Sequence, residues 1–134
     1  MKSLVILIFI SCLIFMVSCD EQETPEEAVV AVYSKISAEG AYQMMQDTKE
    51  YILLDVRTQE EFNTEHIEGA ALIPFDEVGD RAGVEIPDKN ALILVYCRSG
   101  RRSEAAAQEL VEMGYTSVYD FGGILDWPFD TVLA

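Results

Sequence analysis

The most informative segment of the sequence is Ala91-Leu92-Ile93-Leu94-Val95-Tyr96-Cys97-Arg98-Ser99-Gly100-Arg101-Arg102-Ser103. Its first six residues are continuously apolar, which is typical of a strand buried on both faces of a parallel sheet. The residues from Ser103 to Met113 are rich in helix formers, and Gly114 after them is a good C-cap residue. The pattern therefore predicts a strand, a short loop and a helix, with Cys97 at the carboxyl end of the strand.

The loop after this strand has the composition of an anion site around a reactive thiol. Backbone amides at a helix N-terminus have no intrahelical partner, and the helix dipole adds positive charge there. Such surroundings lower a thiol pKa from about 8.5 to roughly 3.5–7.5. We therefore predict that Cys97 is a thiolate nucleophile and that the loop binds an anion through Arg98, Ser99, Gly100, Arg101 and Arg102. The alternative is a buried structural cysteine beside arginines that are only solvated.

Several stretches of the sequence together resemble the single-domain rhodanese family. Besides the Cys97 loop they are Leu54-Asp55-Val56-Arg57-Thr58-Gln59-Glu60-Glu61-Phe62, His66-Ile67-Glu68-Gly69-Ala70, Ile73-Pro74 and Gly122-Gly123-Ile124-Leu125-Asp126-Trp127. The resemblance extends in order from about Lys35 to Trp127. It implies a single small α/β domain with a central, mainly parallel sheet flanked by helices. It also implies that Cys97 carries sulfane sulfur as a persulfide.

Asp55 and Arg57 lie where a predicted strand meets a loop, at the sheet edge that binds ligands in open α/β folds. By resemblance they are the family's Asp-x-Arg element and support the site. We favour an ion pair that fixes this edge, with Glu60 or Glu61 as the partner of the arginine, over direct contact with substrate. His66, the only histidine, resembles part of a structural turn, and general-base catalysis is the less favoured alternative.

The rest of the chain alternates strands with helices, which predicts parallel pairing in an α/β fold. The predicted strands lie near Val32–Ile36, Tyr51–Val56, Ala70–Ile73, Ala91–Tyr96 and Ser117–Asp120. The predicted helices are Ala38–Asp47 capped by Ser37, a short helix with Thr58 and Glu61 in a capping box, a turn capped by Asp76 through Val78, Ser103–Met113, and a short helix from Gly122-Gly123 to Trp127. Phe121, Trp127 and Phe129 either line a hydrophobic mouth beside the loop or, as we favour, close the core.

The N-terminus predicts export and lipid attachment. The apolar run Leu4–Val17 has about 14 residues, fewer than the roughly 20 that span a membrane, and suits a signal peptide. Met16-Val17-Ser18-Cys19 resembles the end of a bacterial lipoprotein signal, although Met16 replaces the usual leucine. We predict a signal peptide over residues 1–18, lipid on Cys19 and a protein in the bacterial cell envelope, facing the periplasm or the exterior. The alternatives are an ordinary secretory signal and an uncleaved anchor.

Processing before Cys19 defines the mature chain. The acidic stretch 19–28 is then a solvated tether, and residues 29–134 form one domain. Cys12 leaves with the signal, so Cys97 is the only free thiol and no intramolecular disulfide is available. Loss of Lys2 takes the formal net charge from −15 to −16. So acidic a chain is not expected to bind nucleic acid or to be attracted to anionic lipid, and membrane attachment must therefore come from the lipid on Cys19. One histidine and one thiol make no zinc or copper site, and we expect no cofactor and a monomer.

The chemistry expected of this sequence is double displacement of sulfur. The Cys97 thiolate attacks thiosulfate or a persulfide donor, attracted by Arg101 and Arg102, and the sulfur passes to cyanide or a thiol acceptor. A rhodanese-fold phosphatase or arsenate reductase is the near alternative. The tyrosine-phosphatase signature, however, needs arginine at the position of Ser103, and rhodanese-fold phosphatases characteristically have a loop one residue longer. A non-catalytic sulfur-carrier or binding module is the alternative of a different class.

Overall fold

The computed structural model describes residues 32–133. The predicted signal peptide, the tether with Cys19 and the first residues of the predicted domain lie outside this range. Within it, no helix is both long and apolar enough to cross a membrane.

Strands and helices alternate along the described chain, as the sequence predicts. The strands are β1 Ser34–Lys35, β2 Ile52–Asp55, β3 Glu65–His66, β4 Ala71–Leu72, β5 Ile93–Cys97, β6 Val118–Gly123 and β7 Val132–Leu133. The helices are α1 Ala38–Asp47, α2 Gln59–Thr64, α3 Val78–Glu85 and α4 Arg101–Glu112, with 3₁₀-helices at Phe75–Glu77 and Ile124–Asp126. Five strands form one sheet in the order β1-β6-β5-β2-β4, and every pairing in that sheet is parallel. The predicted α/β fold with a mainly parallel central sheet is confirmed.

The central strand β5 is buried along its whole length, as its apolar sequence predicts. Successive side chains of a strand point to opposite faces of the sheet. Ile93, Val95 and Cys97 accordingly join the core on the side of α3 and α4. Leu94 and Tyr96 join the core on the side of α1. Helices therefore cover both faces of the sheet, and Cys97 is fixed against the core beneath α4.

The capping signals in the sequence are confirmed. Ser37 Oγ accepts a hydrogen bond from the Gly40 amide at 3.0 Å and starts α1 where predicted. Thr58 and Glu61 form the predicted capping box at the start of α2. Gly114 follows α4 with a φ of 96°, a conformation that glycine adopts without steric cost. These local hydrogen bonds set the ends of the helices.

The helical turn predicted after Pro74 is present, but the predicted cap was wrong. Asp76 does not cap a helix, because Pro74 leads into a 3₁₀-helix with no side-chain cap. The α-helix α3 then follows and is longer than the predicted turn. Its Val78 and Ala82 are buried one turn apart against the core, so tertiary packing stabilises a segment whose two glycines weaken its intrinsic helix propensity.

The end of the sheet also differs from the prediction. Strand β6 does not stop at Asp120 but continues through Gly123, because Cys97 of β5 pairs with Gly123 beyond an irregularity in the register. The short antiparallel pairing of β3 with β7 was not predicted. Strands of two residues carry no periodicity that a sequence pattern can reveal.

Candidate active site

Cys97 is the last residue of β5 and lies at the carboxyl edge of the sheet, beside Asp55 at the end of β2. Residues 98–100 turn the chain, and α4 begins at Arg101. Gly100 makes this turn with a φ of 108°, where a side chain would be strained. The tight turn brings backbone amides of the loop back toward the sulfur.

The Cys97 sulfur lies among hydrogen-bond donors, and the residue is only 1% exposed. The Gly100 amide donates to Sγ at 3.0 Å, and Ser103 Oγ lies 3.6 Å from Sγ. Burial raises the pKa of the thiol. Hydrogen bonds from the Ser103 hydroxyl and from the amides of Ser103, Gly100 and Ser99 outweigh burial and hold the pKa of Cys97 below its ordinary value. The geometry therefore suits a thiolate nucleophile.

Ser103 is a fully buried residue that the sequence analysis did not assign to the site. Its Oγ donates toward the carbonyl oxygens of Gly100 at 3.0 Å and Gly122 at 3.2 Å. A hydroxyl has one proton, which it can donate to a carbonyl beside a neutral thiol or to the sulfur of a thiolate, and Sγ lies within reach at 3.6 Å. The sequence signal was weak, because Ser103 stood out only as the position at which a tyrosine phosphatase has arginine.

Asp55 and Arg57 form a buried ion pair at the same edge of the sheet. Arg57 Nη2 lies 2.7 Å from Asp55 Oδ2, and Nε lies 3.0 Å from both carboxylate oxygens. The Arg57 amide also donates to Asp55 Oδ1 at 2.9 Å, an Asx-type turn that brings the two side chains together. The predicted ion pair is present, but the expected partnership of Arg57 with Glu60 or Glu61 was wrong. The remaining donor contact of Arg57 goes to the Glu65 carbonyl at 2.6 Å.

Glu61 instead holds Arg102. Arg102 Nη1 and Nη2 donate to the two carboxylate oxygens of Glu61 at 2.8 and 2.9 Å. The Thr58 amide donates to Glu61 Oε2 at 3.0 Å. The hydrogen bonds from Arg102, followed by those from Thr58, lower the pKa of Glu61 to about 2 despite partial burial. Arg102 is therefore held by Glu61, which leaves Arg101 as the free arginine of the two, and attraction of the donor by Arg102 stays a prediction.

Two cavities flank the active-site loop. Arg98 lines one of about 270 Å³, and Arg101 lines the other, of about 390 Å³, together with Ser99 and Gly100. Within residues 32–133, neither Arg98 nor Arg101 makes a salt bridge. The free guanidinium groups at the mouth of the site are therefore Arg98 and Arg101, one on each side of the loop.

Gly123 packs directly against the loop, a contact that the sequence analysis missed. A Cβ on Gly123 would overlap the Arg98 carbonyl and the Cα of Ser99. The Leu125 amide donates to the same Arg98 carbonyl at 3.3 Å. The Gly-Gly pair was visible in the sequence, but its partner is known only once β6 is placed beside β5.

His66 and the aromatic residues have mainly structural contacts. His66 Nδ1 lies 2.9 Å from the Phe62 carbonyl, and the two rings stack with centroids 4.0 Å apart. The Trp127 ring centroid lies 5.5 Å from that of Phe121 and 5.0 Å from that of Phe129. Trp127 packs against the core beneath α1, although Trp127 and Phe129 also line a surface groove of about 650 Å³. Over the described range, no group of three or more His, Cys, Asp or Glu side chains is arranged to hold a metal ion.

Comparison with known proteins identifies the domain. A family model described as a rhodanese-like domain matches residues 37–128, a range that includes the Asp55–Arg57 pair and the Cys97 loop. The chain belongs to this family. The rhodanese resemblance in the sequence is thereby confirmed.

The relatives of this rhodanese-like domain include named sulfurtransferases. Thiosulfate sulfurtransferase PspE of Escherichia coli (strain K12) is 47% identical over 73 residues, which cover 54% of this chain and 70% of PspE. Thiosulfate sulfurtransferase GlpE of Coxiella burnetii (strain RSA 493 / Nine Mile phase I) is 33% identical over 97 residues, 72% of this chain and 88% of GlpE. A solved structure of a rhodanese with anions from E. coli is 42% identical, with a TM-score of 0.59, and covers 63% of this chain and 99% of that one. Two other relatives are longer proteins, of which this chain spans 24% and 50%.

Proposed function

We propose that this domain is a sulfurtransferase that moves sulfane sulfur from thiosulfate or a persulfide donor, through a persulfide on Cys97, to cyanide or a thiol acceptor. One observation carries the proposal. The buried Cys97 sulfur accepts a hydrogen bond from the Gly100 amide at 3.0 Å, and its pKa lies below the ordinary value. Relatives named thiosulfate sulfurtransferase support the same reaction class.

In the first half-reaction, the Cys97 thiolate attacks the outer sulfur of thiosulfate. A bond forms between Sγ and that sulfur, the S–S bond of thiosulfate breaks, and sulfite leaves with the electron pair. Cys97 then carries a persulfide anion. The loop amides that stabilise the thiolate also stabilise this anion, and the free guanidinium group of Arg101 offsets the charge of the donor.

In the second half-reaction, an acceptor nucleophile attacks the outer sulfur of the persulfide. The bond between that sulfur and Sγ breaks, and Cys97 leaves as a thiolate. Cyanide becomes thiocyanate, and a thiolate becomes a persulfide. The hydrogen bonds from Gly100 and Ser103 that lower the pKa of Cys97 make it a good leaving group. No general base is required, which agrees with the structural contacts of His66.

A phosphatase or arsenate reductase is the nearest chemical competitor. The tyrosine-phosphatase signature requires arginine where this chain has Ser103, which is fully buried, and rhodanese-fold phosphatases characteristically have a loop one residue longer. The adjacent Arg102 is bound by Glu61. A non-catalytic sulfur carrier or binding module is the other competitor. A binding module has no use for a cysteine whose pKa is lowered by surrounding donors, and a carrier would hold sulfur on Cys97 without turning over cyanide. Sulfur transfer therefore fits the site best.

Ping-pong kinetics test the proposal. Thiosulfate should release sulfite before any acceptor is added, and double-reciprocal plots at several cyanide concentrations should be parallel. para-Nitrophenyl phosphate should not be hydrolysed. Hydrolysis of this ester without release of sulfite would replace the proposal by the phosphatase one, and the absence of both reactions would favour a binding module.

We also propose that the mature protein is a lipoprotein of the bacterial cell envelope, anchored through Cys19. The support is the sequence Leu4–Cys19, whose apolar run is shorter than a membrane span and ends in a lipoprotein-like motif. Cys19→Ala should either block maturation or release the protein from the membrane fraction. A Cys19→Ala protein that stays as firmly membrane-bound as the wild type would overturn this proposal.

A further inference from the structure

The cavity on the Arg98 side of the loop presents one free cation and one free anion. Its charged lining consists of two guanidinium groups and three carboxylates. Three of these five groups are engaged elsewhere: Arg57 with Asp55, Glu61 with Arg102, and Glu65 with Thr131. Within residues 32–133, the side chains of Arg98 and Glu60 have no hydrogen-bond or ion-pair partner. These two groups are therefore available to a ligand.

The chemistry of this cavity differs from that expected of an anion site. Arg57 and Glu61 are neutralised by their ion-pair partners, so the remaining charges of the lining are one guanidinium, on Arg98, and two carboxylates, a net negative set that disfavours a dianion such as thiosulfate. A small molecule with both an ammonium and a carboxylate would instead find a partner for each charge, Glu60 for the ammonium and Arg98 for the carboxylate. Ile124 and Leu125 supply an apolar wall for the carbon chain between these charges. The volume of about 270 Å³ suits a molecule of amino-acid size.

We propose that this cavity binds the sulfur acceptor, and that the acceptor is a small zwitterionic thiol of the α-amino-acid class, with cysteine as the simplest example. The proposal rests on the proposed sulfurtransferase function and names the acceptor of that reaction. The acceptor thiolate attacks the outer sulfur of the Cys97 persulfide, a new S–S bond forms, and Cys97 leaves as a thiolate. The product is the persulfide of the acceptor, and no further reactant is needed.

The position of Arg98 connects the cavity to the reaction. Arg98 follows Cys97 directly, and its carbonyl is held by the Leu125 amide at 3.3 Å. The backbone of the residue is therefore fixed between the sulfur and the apolar wall. A carboxylate bound by Arg98 places the acceptor at the loop that carries the persulfide. Glu60 acts in this account as a specificity residue that selects acceptors with an ammonium group.

Three acceptor thiols test the proposal with thiosulfate as donor. Cysteine has both charges, cysteamine has only the ammonium, and 3-mercaptopropionate has only the carboxylate. We expect cysteine to have the highest kcat/KM, after each rate is referred to the thiolate concentration at the working pH. Each missing ion pair should cost about two- to fivefold in kcat/KM, the effect of a solvent-accessible ion pair.

Charge reversal at Glu60 gives the sharper test. Glu60→Lys should reduce kcat/KM for cysteine and cysteamine by about fivefold and increase it for 3-mercaptopropionate. Glu50→Lys makes the same charge change at an exposed position before β2, at the opposite edge of the sheet, and should leave the order of the three thiols unchanged. Circular dichroism and the urea midpoint check that Glu60→Lys is folded, and Glu60→Gln provides a second, milder variant.

The outcomes separate this proposal from the proposed function. If cyanide is used normally but the three thiols keep the same ranking in the wild type, Glu60→Lys and Glu60→Gln, the zwitterion site is refuted and the sulfurtransferase stands. If the wild type releases no sulfite from thiosulfate and uses no acceptor, the sulfurtransferase itself fails. Crossover of cysteine and 3-mercaptopropionate in Glu60→Lys alone supports the site.

Discussion

Glu61 and Arg102 are joined by two hydrogen bonds of 2.8 and 2.9 Å, although 41 residues separate them in the sequence. Glu61 also completes the capping box of α2, and Arg102 lies in the first turn of α4. The pair therefore connects the helix after the Asp55–Arg57 turn to the helix that begins at the active-site loop. This ion pair positions the active-site loop. It also binds the guanidinium of Arg102, which is therefore not free at the mouth of the active site.

Glu61→Gln should destabilise the fold in a pH-dependent way. The pKa of Glu61 is lowered from 4.5 to about 2, so the ionised carboxylate stabilises the folded state above pH 4.5 and this contribution is lost as the pH falls toward 2. Because the pair is partly exposed and screened, we expect a loss of about 1 kcal/mol in the free energy of unfolding at pH 7. Urea denaturation at a series of pH values measures this loss in the free energy of unfolding.

Glu50→Gln is the control for this prediction, because Glu50 has no ion pair within the described range. A difference between wild type and Glu61→Gln that does not shrink at acid pH would contradict this account.

Arg101→Ala should weaken the use of anionic donors. Its guanidinium is free beside the loop, so its removal should raise KM for thiosulfate about two- to fivefold and reduce the salt dependence of kcat/KM. A neutral organic trisulfide as donor should be affected less. Arg102→Ala should behave differently, because it breaks the contact with Glu61 and lowers the rates with both donors. If Arg101→Ala and Arg102→Ala changed the rates with the two donors in the same way, the ion pair with Glu61 would not give Arg102 a role different from that of Arg101.

Ser103→Ala should raise the pKa of Cys97. The Ser103 hydroxyl lies 3.6 Å from Sγ and is a donor that lowers the pKa of the thiol. Without it a smaller fraction of Cys97 is ionised at pH 7, so kcat/KM should fall there and recover as the pH rises. The pH profile of the first half-reaction measures the shift. Ser117→Ala, at the opposite edge of the sheet, is the control. An equal loss at every pH would mean that Ser103 only supports the loop.

Gly123→Ala should destabilise the protein, whereas Gly83→Ala should stabilise it. A Cβ at Gly123 meets the backbone of Arg98 and Ser99, which cannot move away as a flexible side chain would. We expect a loss of roughly 1–3 kcal/mol, typical of overpacking. A Cβ at Gly83 meets nothing within 4 Å in the interior of α3, and a gain of about 0.5–1 kcal/mol is expected. The urea midpoint of unfolding should fall in Gly123→Ala and rise in Gly83→Ala, relative to the wild type. Equal midpoints would show that β6 does not press against the loop.

The sequence was sufficient for features that depend on neighbouring residues. The buried strand β5, the Ser37 cap and the Thr58 capping box follow from apolar runs and from hydrogen bonds that span a few residues. The position of Cys97 at the end of a strand followed in the same way. These features need no knowledge of tertiary contacts.

The contacts that refine the site were not accessible from sequence. The partner of Arg102 lies on another helix, and the backbone that Gly123 approaches belongs to a loop more than one element away. The role of Ser103 depends on its distance to Sγ, which the helix pattern alone does not give. Residues of the loop were therefore named correctly as neighbours, while their division into free and engaged arginines required the fold.

Mass spectrometry of the purified protein, after incubation with thiosulfate and without an acceptor, tests most directly whether Cys97 carries the sulfur. We expect that one sulfur atom is added, that peptide mapping places it on Cys97, and that cyanide removes it with formation of thiocyanate. Cys97→Ser, tested in parallel, should acquire no sulfur and show no thiosulfate:cyanide activity while remaining folded, because a serine hydroxyl is not ionised at neutral pH and forms no persulfide. No adduct in the wild type, an adduct on another residue, or substantial activity in Cys97→Ser would contradict the claim that Cys97 carries the sulfur.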